Sequence, residues 1–599
     1  MSDSNLVPLM YQSQIEKRGK IQYVGKKSQT KTQTNTASKW LEEWLEGCPP
    51  IPQPPDEGVP LWKRKKPQSE IKIPQFGPDV HTWEYTQNWR FVTNSGQDEG
   101  IIRPVIGAKG IPHYPGSSMK GAFLRACQQI VPDKVQDYCG GEVEEIIDGK
   151  KYKRTKPGIL RFHGGYPIDM SWANRERLLD IIHPQQERQV ERDSRSSANV
   201  QISLYKTIFR FGISAIKNST HVNVDWDLVK KIWEQALSQG IGSRTSAGYG
   251  YFSKSKDAAT QNLSIAPVIS VKLDGQGISS TLLDGSKEFR PNMFKAALRG
   301  HTLRLLAGVT NEEKTRELTK KLWGGFIQNQ TEQGSIVGRF SVNFEREQLE
   351  FIEKYKYKLN SGKINIFEQY RQGQRDEKEK EFLILLVKFS LLLGGFGRSW
   401  RRVDHNLFYP SYFHNTNKLM IGCHWSFSNP NESAEYCITA PGGELTNIKD
   451  FLSGISDKVR DCFNLPSTDT YTESWREVWH PDKVQVWGRI ANSKDDSKAV
   501  KWFHEDNFIK RTKLTGYVGN ARNPSKVGRI WHRMYPLYEV INQKEMIDKT
   551  DAKSKKYVEL LTVYLSNNPD CITEKFLKFL EDKTLQGKGN FERLWGNNP

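Results

Sequence analysis

The chain has 599 residues, too many for one hydrophobic core, and its 36% apolar content suffices for several ordinary ones. Lys and Arg total 88 against 69 Asp and Glu; the net charge of +19 favours polyanionic partners. Seven scattered cysteines without a CxxC pair exclude a disulfide framework and a closed zinc site, and the lack of an apolar leader or of any apolar run of about 18 residues gives a soluble cytoplasmic protein with no membrane partner.

Residues 1–72 read as a basic polar extension and a Pro-rich linker. An amphipathic piece (40–45) and a proline run (49–55) are expected to stay extended until a partner orders them. A first domain over 73–258 follows. Residues 83–93 read as a strand, 94–100 as a loop and 101–106 as a short apolar run. Pro115-Gly116-Ser117-Ser118-Met119-Lys120-Gly121 opens a helix, since Ser and Gly there supply a cap and free backbone donors. Strands are expected at 159–162 and 204–213, and a helix at 229–237. A glycine-rich loop, Gly240 to Gly250, leads into a last short strand.

The same order recurs in a second domain over 265–545. Residues 266–273 read as a strand, and Arg290-Pro291-Asn292-Met293 opens a basic helix. Residues 334–344 alternate as a strand. A charged helical insertion is expected over about 346–382, and an apolar helix follows at 382–393. Then comes the loop Gly394 to Arg402. Beyond it, a helix fits 446–463, strands fit 484–490 and 527–538, and 546–599 reads as a helical tail. The fold class is therefore α+β, with two antiparallel-sheet domains plus extensions.

A Pro-Gly-Ser-Ser-x-Lys-Gly turn into a helix, followed after a second helix by a glycine-rich loop carrying an arginine, is a specific pairing. Residues Ile111-Pro112-His113-Tyr114-Pro115-Gly116-Ser117-Ser118-Met119-Lys120-Gly121-Ala122-Phe123-Leu124-Arg125 resemble the signature of the RAMP superfamily of type III CRISPR effectors. Gly164-Gly165-Tyr166-Pro167-Ile168-Asp169 and Asp180-Ile181-Ile182-His183-Pro184 are most similar to the sixth subunit of the Cmr complex. The loop Gly394 to Arg402 more loosely resembles the first. The resemblance implies a fused double-RAMP backbone protein with two ferredoxin-like (RRM-like) domains. It further implies an antiviral ribonucleoprotein whose partners are CRISPR RNA, target RNA, other RAMP subunits and a large polymerase-like subunit. Guide pairing would read sequence while the protein grips backbone shape and charge.

The residue chemistry points the same way. Glycine-rich loops bring backbone N–H groups close to phosphates, and helix N-termini add partial positive charge. The expected RNA-binding residues are His113, Ser117, Ser118, Lys120, Arg125, Gly242, Arg244 and Gly248 in the first domain. In the second they are Lys295, Arg299, Gly397, Arg398, Arg401 and Arg402. Arg529, His532 and Arg533 alternate with aromatics along 527–535 and suggest a further RNA-facing strand. The bland alternative for each loop is a structural turn.

A rival activity is target-RNA cleavage. Some RAMP backbone subunits cut with an Asp in the loop after the first strand. Asp98 holds that place here, and Asp274 and Asp284 hold it in the second domain. If the chain is such an endoribonuclease, Mg2+ or another divalent cation is implied as cofactor; no protein metal site is expected. An ordinary solvated loop aspartate explains these positions as well. A stand-alone CRISPR RNA processing nuclease would need a general acid–base pair, for which His113 and His163 are the nearby histidines.

Overall fold

The computed structural model describes residues 73–93, 97–98, 101–107, 110–147, 150–173, 175–182, 185–192, 199–216, 224–254, 266–281, 287–328, 333–352, 356–369, 376–408, 422–505, 514–517, 526–541, 545–547, 556–566, 572–587 and 590–597, with positions 37, 40, 41, 44 and 45. The chain divides into two compact units. Unit 1 takes residues 1–183, 197–266 and 282–286; unit 2 takes 184–196, 267–281 and 287–599. No helix among the described residues is long and apolar enough to cross a membrane.

Unit 1 is built on four strands, β1 (His81–Gln87), β2 (Leu160–Pro167), β3 (Ile208–Ala215) and β4 (Phe252–Ser253). They form an antiparallel sheet in the order β4-β1-β3-β2. Helix α1 (Gly116–Ile130) follows β1, and α2 (Trp226–Ser238) follows β3. Period-two alternation puts Phe209, Phe211 and Ile213 of β3 on one face, and all three are fully buried. Phe211 meets Trp233 of α2 at 5.0 Å and Phe252 at 5.6 Å. Helix α2 starts where Asp225 accepts a hydrogen bond from the Leu228 amide, and its buried Val229, Ile232, Trp233 and Ala236 keep helical spacing.

The amphipathic piece of the extension is docked on its own chain rather than waiting for a partner. Trp40, Leu41 and Trp44 are buried in the unit 1 core. The Trp44 indole donates to the Gly110 carbonyl at 2.9 Å and packs 5.0 Å from Trp172. Burying two indoles outweighs the entropy of ordering one helical turn.

Unit 2 repeats the plan. Strands β5 (Ile269–Ile278), β6 (Phe340–Ile352), β7 (Lys356–Glu368) and β8 (His424–Phe427) lie in the order β6-β7-β5-β8, all antiparallel. Helices α3 (Asn292–Ala307) and α4 (Glu312–Trp323) follow β5, and α5 (Glu377–Leu392) follows β7. Residues 346–368, expected within a helical insertion, form a long hairpin instead. Its charges alternate with Leu349, Phe351, Tyr357 and Leu359, a strand period that the charge count concealed.

A further sheet occupies the C-terminal part of unit 2, after helix α6 (Thr446–Phe463). Strands β9 (Val484–Ala491), β10 (Ile530–Pro536), β11 (Tyr557–Tyr564) and β12 (Glu592–Trp595) lie in the order β10-β11-β9-β12. Helix α7 (Lys498–Glu505) follows β9, and α8 (Ile572–Leu585) follows β11. The strand and helix order of unit 1 thus occurs three times among the described residues. The expected helical tail over 546–599 is corrected: it supplies a central strand, one helix and an edge strand of this sheet. The sequence Tyr557-Val-Glu-Leu-Leu-Thr-Val-Tyr564 is apolar on both faces, so it lacks the alternation of a half-exposed strand. Leu561 and Val563 pack with Phe576 and Leu580 of α8. Val558, Leu560 and Tyr564 join the core shared with Phe389 of α5 and Ile455 of α6.

Candidate nucleic-acid interface

In unit 1 the signature turn docks on β2 before it becomes a helix. Tyr114 and Gly165 exchange two backbone hydrogen bonds of 2.9 Å. A Cβ on Gly116 would lie 2.1 Å from the Phe162 carbonyl oxygen, and one on Gly164, with φ +82°, 2.1 Å from that of Tyr114. Only glycine allows this approach. Helix α1 then begins with Pro115 as its N-cap, without a side-chain cap and without an acidic residue in its first turn. The first-turn amides and the positive end of the helix dipole are therefore not spent on a side chain. Ser117, Ser118, Lys120 and Arg125 are exposed.

The glycine-rich loop is braced from behind. Ser243 donates its amide to Val92 and Gly250 to Arg90, both at 2.8 Å. The Tyr249 hydroxyl donates to buried Asp180 at 2.8 Å, and Gln201 donates to the same carboxylate at 2.6 Å. Gly242 has φ +81°, and a Cβ there would meet the Val92 oxygen at 2.5 Å. Gly248 is buried; Gly242 and Arg244 are exposed, Arg244 in the left-handed region at φ +60°.

Tyr114 joins helix and loop. Its hydroxyl donates to the Ser118 carbonyl at 3.0 Å and faces the Gly242 amide of the loop. Burial pushes the phenol up to about 12, against the pull of Arg125 and of that amide. The two motifs, over a hundred residues apart in the chain, thus meet on one tyrosine, with Lys120, Arg125 and Arg244 exposed on the paired elements. His113 is half-buried and stacks on Tyr166 at 5.6 Å. Burial lowers its pKa, and its Nδ1 has no hydrogen-bond partner among the described residues. His163 bonds Ser214 at 2.8 Å.

Asp98 ends the two-residue strand Gln97–Asp98, opposite Ile101. Asp284 lies outside the described residues. Asp274 accepts a hydrogen bond from Ser428 at 2.6 Å. The described residues contain no cluster of three or more His, Cys, Asp or Glu able to hold a metal ion.

Unit 2 brings the equivalent elements together as well. Gly397, at φ +89°, leaves no room for a Cβ, which would sit 2.8 Å from the Cys423 sulfur and 2.9 Å from that of Met293 at the start of α3. Arg398 and Ser399 are exposed, while Lys295 is half-buried. Arg299 donates to the Gly324 carbonyl at 2.6 Å. Arg401 and Arg402, expected on the RNA-binding face, are drawn inward. Arg401 binds both oxygens of buried Glu477 at 2.6 and 2.9 Å, and Arg402 donates to the Thr515 carbonyl at 3.0 Å. Glu477 also takes two hydrogen bonds from Arg304 and one from Arg476. Burial works to raise the Glu477 pKa, but Arg401, Arg304 and Arg476 outweigh it and hold the carboxyl well below its usual range.

The expected RNA-facing strand at 527–535 is also corrected. Every residue of β10 is buried. Arg529 donates to the Leu565 carbonyl at 2.9 Å, His532 bonds Glu559 at 2.9 Å, and Arg533 donates to the Trp425 carbonyl at 2.7 Å. The reason is that the sheet is packed on both sides, so its polar residues are consumed internally.

The open faces of the other two sheets are mixed in character. In unit 1 the face away from the helices carries the Glu84–Arg210 ion pair at 2.6 Å, and Phe76 lies against Gly212 with Tyr166 at 5.9 Å and His163 at 6.3 Å. In unit 2 it carries Lys272 paired with Glu432 and the chain Ser270–Asn365–Glu345.

No family model matches the chain, and no curated protein matches it. Among solved structures, it is similar to a chain in the cryo-EM structure of the type III-B Cmr-beta complex bound to cognate target RNA and AMPPnP in the presence of ssDNA. That likeness has 12% sequence identity and a TM-score of 0.25, and it covers 53% of this chain and 100% of the other. Both values are too low to establish kinship.

Proposed function

We propose that this protein is an RNA-binding backbone subunit of a type III CRISPR interference complex, holding CRISPR RNA and target RNA beside other RAMP subunits and a large polymerase-like subunit. On this reading its modules are ferredoxin-like, since strand, helix, two strands, helix, strand with sheet order 4-1-3-2 is that plan. The observation that carries the reading is the Tyr114 junction, where an uncapped helix start and a glycine-rich loop meet with exposed cations on both. Backbone amides and cations gathered in this way suit a ribose–phosphate strand gripped without base readout.

The test is binding of single-stranded RNA, by fluorescence anisotropy over a salt series, to the full chain and to the Lys120→Ala/Arg244→Ala double variant. Loss of two phosphate contacts weakens binding by about tenfold or more and flattens the log–log salt slope by about 1.4, at roughly 0.7 per contact for single strands. Equal affinity and equal slope in both proteins would remove this junction as the RNA site.

A further inference from the structure

Unit 2 carries a half-open pocket of about 450 Å³, within the size range of small-molecule sites. Its lining comes from both sheets of the unit. From the first, β5 bulges between Leu273 and Gly275, and Asp274 lines the cavity beside Ser426 on β8. Asp404 lines it too, oriented by a 2.6 Å hydrogen bond from Gln276. The second sheet brings apolar surface: Met534 and Tyr557, which pack in one cluster with Phe408. Exposed Lys358 and half-exposed Lys494 also line it, as do Arg402 and Arg533, whose guanidinium groups donate to the Thr515 and Trp425 carbonyls.

This combination selects a ligand. The two carboxylates disfavour an anion beside them, and Arg402 and Arg533 are already engaged by carbonyls, so a phosphate belongs toward the lysines. The apolar surface fits the flat face of a base. A carboxylate is best satisfied by two adjacent N–H donors. Among the common bases guanine presents such a pair on one edge, its ring N1–H and its exocyclic amino group. Burial raises the Asp274 pKa despite the Ser428 hydroxyl and Lys358, as expected of a partly desolvated acceptor.

We infer that this cavity between the two sheets of unit 2 is a guanine-nucleotide pocket, with Asp274 as the base-reading carboxylate. Where the nucleotide belongs to a bound strand, the inference rests on the RNA-binding reading; the pocket itself does not require it.

Two arms test it with the full chain. In the first, calorimetry compares GMP with IMP, AMP, CMP and UMP. GMP is expected to bind about tenfold tighter than AMP, CMP or UMP, with IMP between, as one good bidentate contact allows. Asp274→Asn, which replaces one of the two acceptor oxygens with an NH2 donor at equal size, should remove that preference. Ser426→Tyr, which fills the cavity from an edge strand, should abolish binding, with thermal melts confirming that each variant is folded. In the second arm, a uridine-only RNA carrying one guanine is compared with the same strand carrying inosine. Tighter binding of the guanine strand makes the RNA the source, whereas GMP binding without that preference makes it a free nucleotide; either supports the pocket. Absence of saturable GMP binding, or binding indifferent to base and to both substitutions, overturns it. Uridine RNA binding that still depends on Lys120 and Arg244 would then leave the RNA-binding function standing alone.

Discussion

In unit 1 the glycine-rich loop meets its helix through Tyr114, and Lys120, Arg125 and Arg244 remain exposed. In unit 2 the loop meets its helix through Met293 and Cys423, and of Arg398, Arg401 and Arg402 only Arg398 stays exposed. The loops share a plan and a glycine requirement but use their cations differently. What decides is the buried acceptor each one meets: Glu477, 76 residues along the chain, takes Arg401, and the Thr515 carbonyl takes Arg402. Arginine density near a glycine loop therefore does not by itself mark a nucleic-acid contact. The marker is whether an internal acceptor has already claimed the guanidinium groups.

The sharpest way to break that contrast is Glu477→Ala. It leaves three guanidinium groups facing one another without their acceptor, and removing one partner of a buried ionic cluster costs about 3–5 kcal/mol. Chemical denaturation should show unit 2 strongly destabilised. A retained unfolding midpoint would mean that the cluster is not what holds Arg401 inward. Next in size, Gly242→Ala forces a left-handed backbone and a clash with the Val92 oxygen. We expect a cost of about 1–3 kcal/mol in unit 1 and RNA affinity lowered with it, measured by melting and anisotropy together.

Acid sharpens the comparison further. The folded Glu477 carboxyl lies below its unfolded value of about 4.3. Its stabilisation is therefore fully present above that value and is lost as pH falls toward the folded pKa. Unit 2 should lose stability below about pH 4, and Glu477→Gln should flatten that part of the profile. A smaller effect is expected for Tyr114→Phe, which deletes one hydroxyl from the helix–loop junction: about 1 kcal/mol and a few-fold in RNA affinity. Smallest of all, Asp98→Ala should leave RNA binding within about twofold, because a carboxylate is not a phosphate contact. If the assembled complex stops cutting target RNA on that substitution, the chain is a nuclease as well as a binder.

The elements that were legible carried local signals. The spacing Val229, Ile232, Trp233 announced α2, and Thr446–Phe463 is a helix over the residues its pattern predicts. The signature turn and the two glycine loops were legible because glycine demand is local. Whether a cation would be free was not, because Glu477, Glu559 and the carbonyls of Thr515 and Leu565 lie far along the chain. The hairpin of β6 and β7 was hidden by its charge, and the C-terminal sheet by the reverse. Strands covered on both faces lose the alternation that identifies a strand.

That doubly covered sheet has a consequence for how the polypeptide comes apart. Strand β9 pairs with β11 and β12, which arrive only after long intervening stretches, and the inward face of this sheet is one continuous core with helices α3, α5 and α6. Unit 2 therefore has no internal seam along which half of it could melt first. In a calorimeter it should give one steep endotherm of its own, and clipping the chain anywhere before Tyr557 would forfeit the whole unit rather than trim an ornament from its end.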